Sequence, residues 1–531
     1  MKRCPECRRD YYDETLLYCL DDGSALLDGP ARESAKCDES TAILPELGTG
    51  AISIPPAEPN TAIYLEKGIA IVADSNSIAV LPFVNISSDV ENEYFCDGLA
   101  EELLNALSKI ENLKVAARTS AFLFKGKNIN VSEIGEKLSV KYVLEGSVRK
   151  SGNRLRITVQ LVNAADGYHL WAERYDCEMD DIFDVQDEIT LAVVESLKVK
   201  LFGQKHIAIL KKGTENPNAF EFYLRGRALW NRRTREDFHK AIQHFESAVE
   251  LDPNYAFAYA GLTDTYASLA YFDLYAPSEM APKAHAAVEK AIEIDPSLSE
   301  CHTSLAVYKL FFEFDFSSGE REYRNAIAIN PKSALPRYWL CSLLAAVGRT
   351  AESLVEGRAA MELDPLSPIA NFTLARALCC AGQYEEAIEL SIKNFELLPD
   401  FYLSHLALGW AYQETGKLDD AVRHFRKASM DGGLRMYGYL GKALVRAGRA
   451  DESRALLNEM EEQAQHQFIS PIASAVIYAE LGDMVLALDL LEKAWSVRAI
   501  HLIWSLSDAI FDVFRSEPRF VEVMRRMNLT Q

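Results

Sequence analysis

From Asn216 to the C-terminus, apolar residues recur at three- and four-residue spacing in short runs, and the runs are punctuated by proline. Pro296, Pro331, Pro365 and Pro399 lie 35, 34 and 34 residues apart, and Pro253 precedes them by 43. The spacing predicts amphipathic helices that each end at a proline, because the ring has no N–H to donate and blocks the preceding turn. A period near 34 residues predicts stacked helix pairs rather than one globular core. The long first interval reads as one repeat stretched by nine residues near Tyr271 to Met280. About eight pairs are expected. The pattern loosens after Gly433 and closes with a capping helix over Phe511 to Met527.

Upstream the period changes. Ile78 to Phe83 is a short apolar run stopped by proline, and Phe95 to Leu107 places Leu99, Leu103, Leu104 and Leu107 on one helical face. Leu113 to Ala117 predicts a strand and Val131 to Leu138 a helix. Tyr142 to Val148 and Leu155 to Val162 predict a hairpin turning at Ser151-Gly152-Asn153. In its second strand Leu155, Ile157, Val159 and Leu161 alternate with Arg154, Arg156, Thr158 and Gln160, which is one buried face and one wet face. Tyr168 to Tyr175 adds a strand and Ile182 to Leu201 a closing helix. The expected domain is α/β with a mixed or antiparallel sheet, over residues 78–204.

The first 27 residues have neither pattern. Cys4-Pro-Glu-Cys7 and, after eleven intervening residues, Cys19 with Asp22 have the spacing of a small zinc ribbon whose last ligand is a carboxylate. Three thiolates and one carboxylate form an allowed but weakened zinc set. Two alternatives stand beside it: a ribbon that no longer holds metal, or completion of the site by Cys37. Residues 28–77 carry Pro30, Pro45, Pro55, Pro56 and Pro59 among small and acidic residues, the composition of a tether.

Charge narrows the functional classes. The net charge of the chain is −22. Residues 1–214 hold 24 basic and 34 acidic side chains, and residues 215–531 hold 32 and 44, so acidity is shared by both halves. That balance disfavours nucleic-acid binding and anionic membranes. No run of residues is long and apolar enough to span a bilayer, and no export signal follows Met1, so a soluble cytoplasmic protein is expected. Phosphate-loop, zinc-protease and serine-elbow motifs are absent from the sequence. Glu101 and Glu102, the cluster Asp180, Asp181 and Asp184, and the arginines Arg118, Arg149, Arg154 and Arg156 read as solvated or helix-start charges rather than as a catalytic set. A non-enzyme is expected.

Two family resemblances add to this reading. Counting from Tyr402, Leu408, Gly409, Tyr412, Ala421, Phe425 and Ala428 fall at the signature positions of a tetratricopeptide repeat, with Gly433 at the usual proline position. Looser units carry Ala241, Phe245 and Ala248, then Ala284, Val288 and Ala291, then Ala326, Ala360 and Ala387. The strings SIAVLPFVNISSDVENEYFCDGLAEELLNALSKI and VLEGSVRKSGNRLRITVQLVNAADGYHLWAERYD resemble the TolB-like amino-terminal domain. That resemblance implies a bacterial multidomain protein and supplies no reaction. The tetratricopeptide resemblance implies that a protein or peptide partner binds in the concave groove lined by the first helix of each pair. The lining residues expected there include Leu406, Trp410 and Gln413, Phe372 and Arg376, and Tyr338. Trp410 is expected to be the exposed anchor. The lattice of Lys and Asn that clamps a partner's C-terminal carboxylates is missing, which disfavours a chaperone-tail receptor. The sequence thus describes an adaptor, with a component of a transcriptional or kinase pathway acting in trans as the alternative.

Overall fold

The computed structural model describes residues 76–110, 112–197, 213–399 and 401–529, together with three two-residue strands nearer the N-terminus. Those strands, Lys2–Arg3, Asp10–Tyr11 and Leu27–Asp28, pair antiparallel with Lys2–Arg3 in the middle. Cys4, Cys7, Cys19 and Asp22, the expected zinc ligands, lie outside the described residues, as does most of the tether.

The α/β domain contains strands β1 (Ser77–Val80), β2 (Val84–Asn85), β3 (Lys114–Val115), β4 (Tyr142–Ser151), β5 (Arg154–Asn163) and β6 (His169–Glu178). Their order is β3-β1-β4-β5-β6, with β2 beside β4. The sheet is mixed: β1 runs parallel to β3 and β4, while β4, β5 and β6 form an antiparallel meander. The hairpin turns at Gly152, whose φ of +59° suits a residue without a Cβ. Leu155, Ile157, Val159 and Leu161 are all buried, so the alternation in the sequence sets the register. Helices α1 (Glu93–Ser108) and α4 (Ile182–Ser196) contribute Leu99, Leu103, Leu107, Ile189 and Val193 to the same core. The short helices α2 (Arg118–Phe122) and α3 (Val131–Leu138) complete the domain; Ile134 and Leu138 of α3 pack with Ala79 and Val143 of the sheet. Sequence pattern does not predict α2, because five residues carry too little periodicity.

Beyond residue 213 come eight helix pairs. The first four are Pro217–Arg232 with Arg235–Leu251, Ala256–Tyr271 with Pro277–Ile294, Ser299–Tyr308 with Phe316–Ile329, and Ala334–Ala346 with Thr350–Leu363. The last four are Pro368–Cys380 with Tyr384–Leu397, Tyr402–Glu414 with Leu418–Gly432, Tyr437–Arg446 with Ala450–Gln463, and Pro471–Glu480 with Met484–Ser496. Each of the five prolines follows its helix by two residues, and the residue between is extended, with φ from −129° to −144°. This is the conformation that the following proline ring imposes. The small residues foreseen on the second helices, Ala241, Ala284, Ala326, Ala360, Ala387 and Ala421, are all fully buried.

The α/β domain is docked on the array. Leu224 of the first pair fills the space over Gly98, where a Cβ would meet it at 2.5 Å. Lys150 pairs with Glu221 at 2.5 Å, and Tyr94 donates to the same carboxylate. Farther along, Lys332 donates to the carbonyls of Ile110 and Leu113 at 2.6 and 3.0 Å, and Ser120 donates to Asp364. The apolar core is continuous across this junction, with Phe183 against Phe220 at 5.1 Å.

Candidate partner-binding groove

The first helices of the fifth and sixth pairs present Phe372 and Arg376, and Leu406, Trp410 and Gln413, on one face. The rings of Phe372 and Trp410 lie 5.8 Å apart, and Tyr439 of the seventh pair continues the row at 5.6 Å from Trp410. Five of the six groove residues expected from the sequence are therefore brought together. Tyr338 stands apart, half-buried beside Trp339 in the fourth pair.

This wall is covered. Trp410 is 7 % exposed, Arg376 and Phe372 6 % each, Leu406 4 % and Gln413 7 %, so the expectation of an exposed Trp410 is corrected. Phe372, Leu406 and Trp410 are buried in a core shared by the fifth to seventh pairs, and Arg376 is covered by the chain's own segment after the eighth pair, two 3₁₀ turns over Ile500–Trp504 and Ala509–Phe514. The Arg376 guanidinium lies 3.6 Å from the centre of the Trp504 ring and 5.5 Å from that of Trp410. Its charge faces Asp508 at 3.6 Å, and Tyr439 donates to the same carboxylate at 2.7 Å. Lys442, 1 % exposed, donates to the Ala509 carbonyl, and the Cys380 thiol points to the Ser507 carbonyl at 3.6 Å.

The segment also reaches the opposite wall. His501 packs on Tyr271 of the second pair at 5.2 Å, and Arg435, in the turn between the sixth and seventh pairs, donates to the Tyr271 carbonyl at 3.2 Å. Trp495 stacks on Phe314, just beyond the first helix of the third pair, at 5.8 Å. The array thus curls until its late pairs meet its early ones, with residues 500–515 inside the curl. A π-turn over Lys309–Glu313 lengthens the third pair's first helix toward this contact and ends at Phe314, held at φ +56°.

A cavity of about 30 Å³ remains beside the segment, lined by Asp273, Arg435, Tyr439, Ser470, His501 and Phe511 among others. It has room for one or two water molecules. Asp273 Oδ2 and Ser470 Oγ have no hydrogen-bond partner in the protein. Burial pushes the Asp273 carboxyl up to about 7, against the pull of Arg435. Burial, with Arg435 and Arg376 nearby, pushes His501 down to about 3.

Several charged residues of the α/β domain are held in local pairs and caps. Arg118 donates to Glu101 at 2.7 Å, and Arg156 donates to Asp176 at 2.5 Å on the sheet surface. Asp181 accepts from the Glu178 amide as a helix-start cap. Burial and the neighbouring Glu101 raise Glu102 to about 7. Among the described residues no group of three or more His, Cys, Asp and Glu could hold a metal ion, and no helix is long and apolar enough to cross a membrane.

Comparison with known proteins agrees with this division. Residues 73–192 match the second domain of HilA/YgeH-like transcriptional regulators, residues 403–427 match the tetratricopeptide repeat, and residues 435–463 match the PPR repeat. One unit of the array, within the sixth pair, is thus similar to a tetratricopeptide repeat, and an α/β domain precedes the array. A putative adenylate cyclase 3 of Rhizobium meliloti is 38 % identical over 233 residues, 44 % of this chain and 40 % of that protein. The transcriptional regulator HilA of Salmonella typhimurium is 20 % identical over 302 residues, 56 % of this chain and 53 % of that protein. The chain therefore spans about half or less of these relatives' length. Among solved structures, a thermophilic TPR protein of Thermus thermophilus matches with TM-score 0.32 and 16 % identity over 37 % of this chain and 99 % of that one. Human IFIT1 matches with TM-score 0.37 and 16 % identity over 60 % of this chain and 79 % of that one.

Proposed function

We propose that this protein is a non-enzymatic adaptor that binds a peptide segment of a partner protein in the groove of its repeat array. The observation that supports this most directly is the groove itself. Phe372, Trp410 and Tyr439 form an aromatic row beside Arg376, and Arg376, Tyr439 and Lys442 hold a stretch of 3₁₀ turns through a cation over an indole ring, an ion pair and hydrogen bonds to a carboxylate and a carbonyl. Aromatic and arginine side chains in desolvated pockets are the usual anchors of protein interfaces. The docked α/β domain would then serve as a second recognition surface held at a fixed distance from the first. The test is affinity capture from native lysate with the wild-type chain and with Arg376→Gln. The variant should lose specific partners, and identical partner lists from the two would count against the groove.

A second reading has its own support. The match of residues 73–192 to a domain of transcriptional regulators favours a role in a regulatory pathway, exerted in trans on a separate DNA-binding or signalling protein. The net charge of −22 argues against direct contact with DNA. Tight, salt-dependent DNA binding by the purified chain would contradict that part of the reading.

A further inference from the structure

The wall and the segment that covers it are imperfectly matched. Arg376 Nη2, Trp410 Nε1 and Gln413 Oε1 are buried without a hydrogen-bond partner in the protein, and the segment adds Ser507 Oγ. All three wall residues are among those that sequence reasoning places in the groove. The Arg376–Asp508 approach of 3.6 Å is an ion pair but too long for a hydrogen bond. A buried donor or acceptor left unmade costs about 1–3 kcal/mol, so such atoms are rare in a settled core. Other such atoms are spread over the array, but Arg376 Nη2 and Ser507 Oγ belong to residues on the two sides of this contact. The contact also carries a buried ion pair, a cation over an indole and a lysine on a carbonyl, which are contacts of an interface rather than of an apolar interior.

We infer that residues 500–515 are an intramolecular stand-in for the partner, and that the wall of the fifth to seventh pairs accepts a peptide segment of related chemistry. This rests on the partner-binding reading of the groove. The stand-in shows what the partner must offer: an aromatic ring for Arg376, where Trp504 now lies, and a carboxylate four residues later, where Asp508 now lies. A better-matched partner brings its carboxylate to within hydrogen-bond distance of Arg376. The exchange is opposed by the burial of Ile500, Leu502, Ile503, Trp504, Phe511 and Phe514, so an arriving segment must match the wall well to displace the stand-in.

The test uses the full chain and, as probe, a fluorescent peptide with the sequence of residues 500–515. Trp504→Ala with Asp508→Ala weakens the resident segment while leaving the wall intact. The double variant is expected to bind the peptide at least tenfold more tightly than the wild type, and adding Arg376→Gln should remove that gain. A double variant with wild-type helical circular dichroism that binds no better than wild type overturns the proposal. If the double variant loses helicity, amide exchange in the unaltered chain decides. Residues 500–515 should then exchange at least tenfold faster than the helices of the fifth and sixth pairs, and equal protection overturns the proposal. If these measurements fail while Arg376→Gln still changes the captured partners, the stand-in falls and the groove reading survives; if both fail, the groove reading falls as well.

Discussion

At the scale of single residues, the array holds titratable groups whose burial ties stability to pH. His405 and His424 face each other with Nδ1 atoms 2.9 Å apart, and burial together with His405 pushes His424 down to about 4. The unfolded chain therefore takes up the proton near pH 6.5, before the folded one does. The contribution to stability is complete above that pH and is lost as pH falls from 6.5 toward 4, with His501 adding to the same loss. His424→Asn should flatten the fall of Tm over that window in a thermal melt. Asp273 has the opposite sign. Its carboxyl is raised to about 7, so its contribution is complete below the unfolded value near 3.8 and is lost as pH rises through 7. Asn tolerates the φ of +54° at this position. Asp273→Asn should raise Tm by on the order of 2–4 °C at pH 8, and by less at pH 5.

At the scale of elements, two ladders punctuate the array, and only one is conspicuous in the sequence. The prolines mark where second helices end, and they stop at Pro399. The other ladder is Gly348, Gly382, Gly416, Gly448 and Gly482, spaced 34, 34, 32 and 34, each in the turn inside a pair with φ between +72° and +94°. A left-handed turn residue strongly favours glycine, so this ladder reaches the eighth pair, where prolines and signature residues have faded. Seen beforehand, it would have fixed the late pairs. Within a pair, Gly409 is required by contact. A Cβ there would lie 2.4 Å from the Phe425 ring, and Gly226 faces Phe245 in the same way at 2.6 Å. Gly409→Ala should lower stability by about 1–3 kcal/mol, read as a lower midpoint in urea with an unchanged slope. The strand alternation of Leu155 to Leu161 was legible for the same local reason as the proline ladder, since a period is a property of neighbouring residues.

At the scale of the whole molecule, the α/β domain and the array share one continuous apolar core and are joined by polar contacts from residues 110–364. Glu221 is the hinge of the near junction, taking Lys150, Tyr94 and Arg225 on one carboxylate. Lys150 is only 10 % exposed at its side chain, so Glu221→Ala leaves a nearly buried cation without its partner. The variant should lose about 3 kcal/mol and should split one calorimetric unfolding transition into two. Retention of a single transition at the wild-type Tm would show that apolar packing alone couples the domains. The groove residues tell the same story from the other side. Phe372, Arg376, Leu406, Trp410 and Gln413 could be placed on one wall because helical spacing and the repeat period are local. Nothing local states that a segment more than 120 residues beyond Arg376 in sequence lies against it, since Trp504 and Asp508 show no pattern that refers to Arg376.

The sequence by itself determined that helix pairs repeat, that an α/β domain precedes them and that five of the six expected wall residues share a helical face, because backbone sterics and hydrophobic period act over a few residues. Tertiary structure alone decided that the array curls back onto its early pairs, that the α/β domain docks along one edge, and that residues 500–515 fill the groove. Those outcomes depend on small rotations summed over eight pairs and on contacts between residues hundreds of positions apart. The covering of Arg376 by Trp504 follows from that summed geometry rather than from any property of its neighbours in the chain.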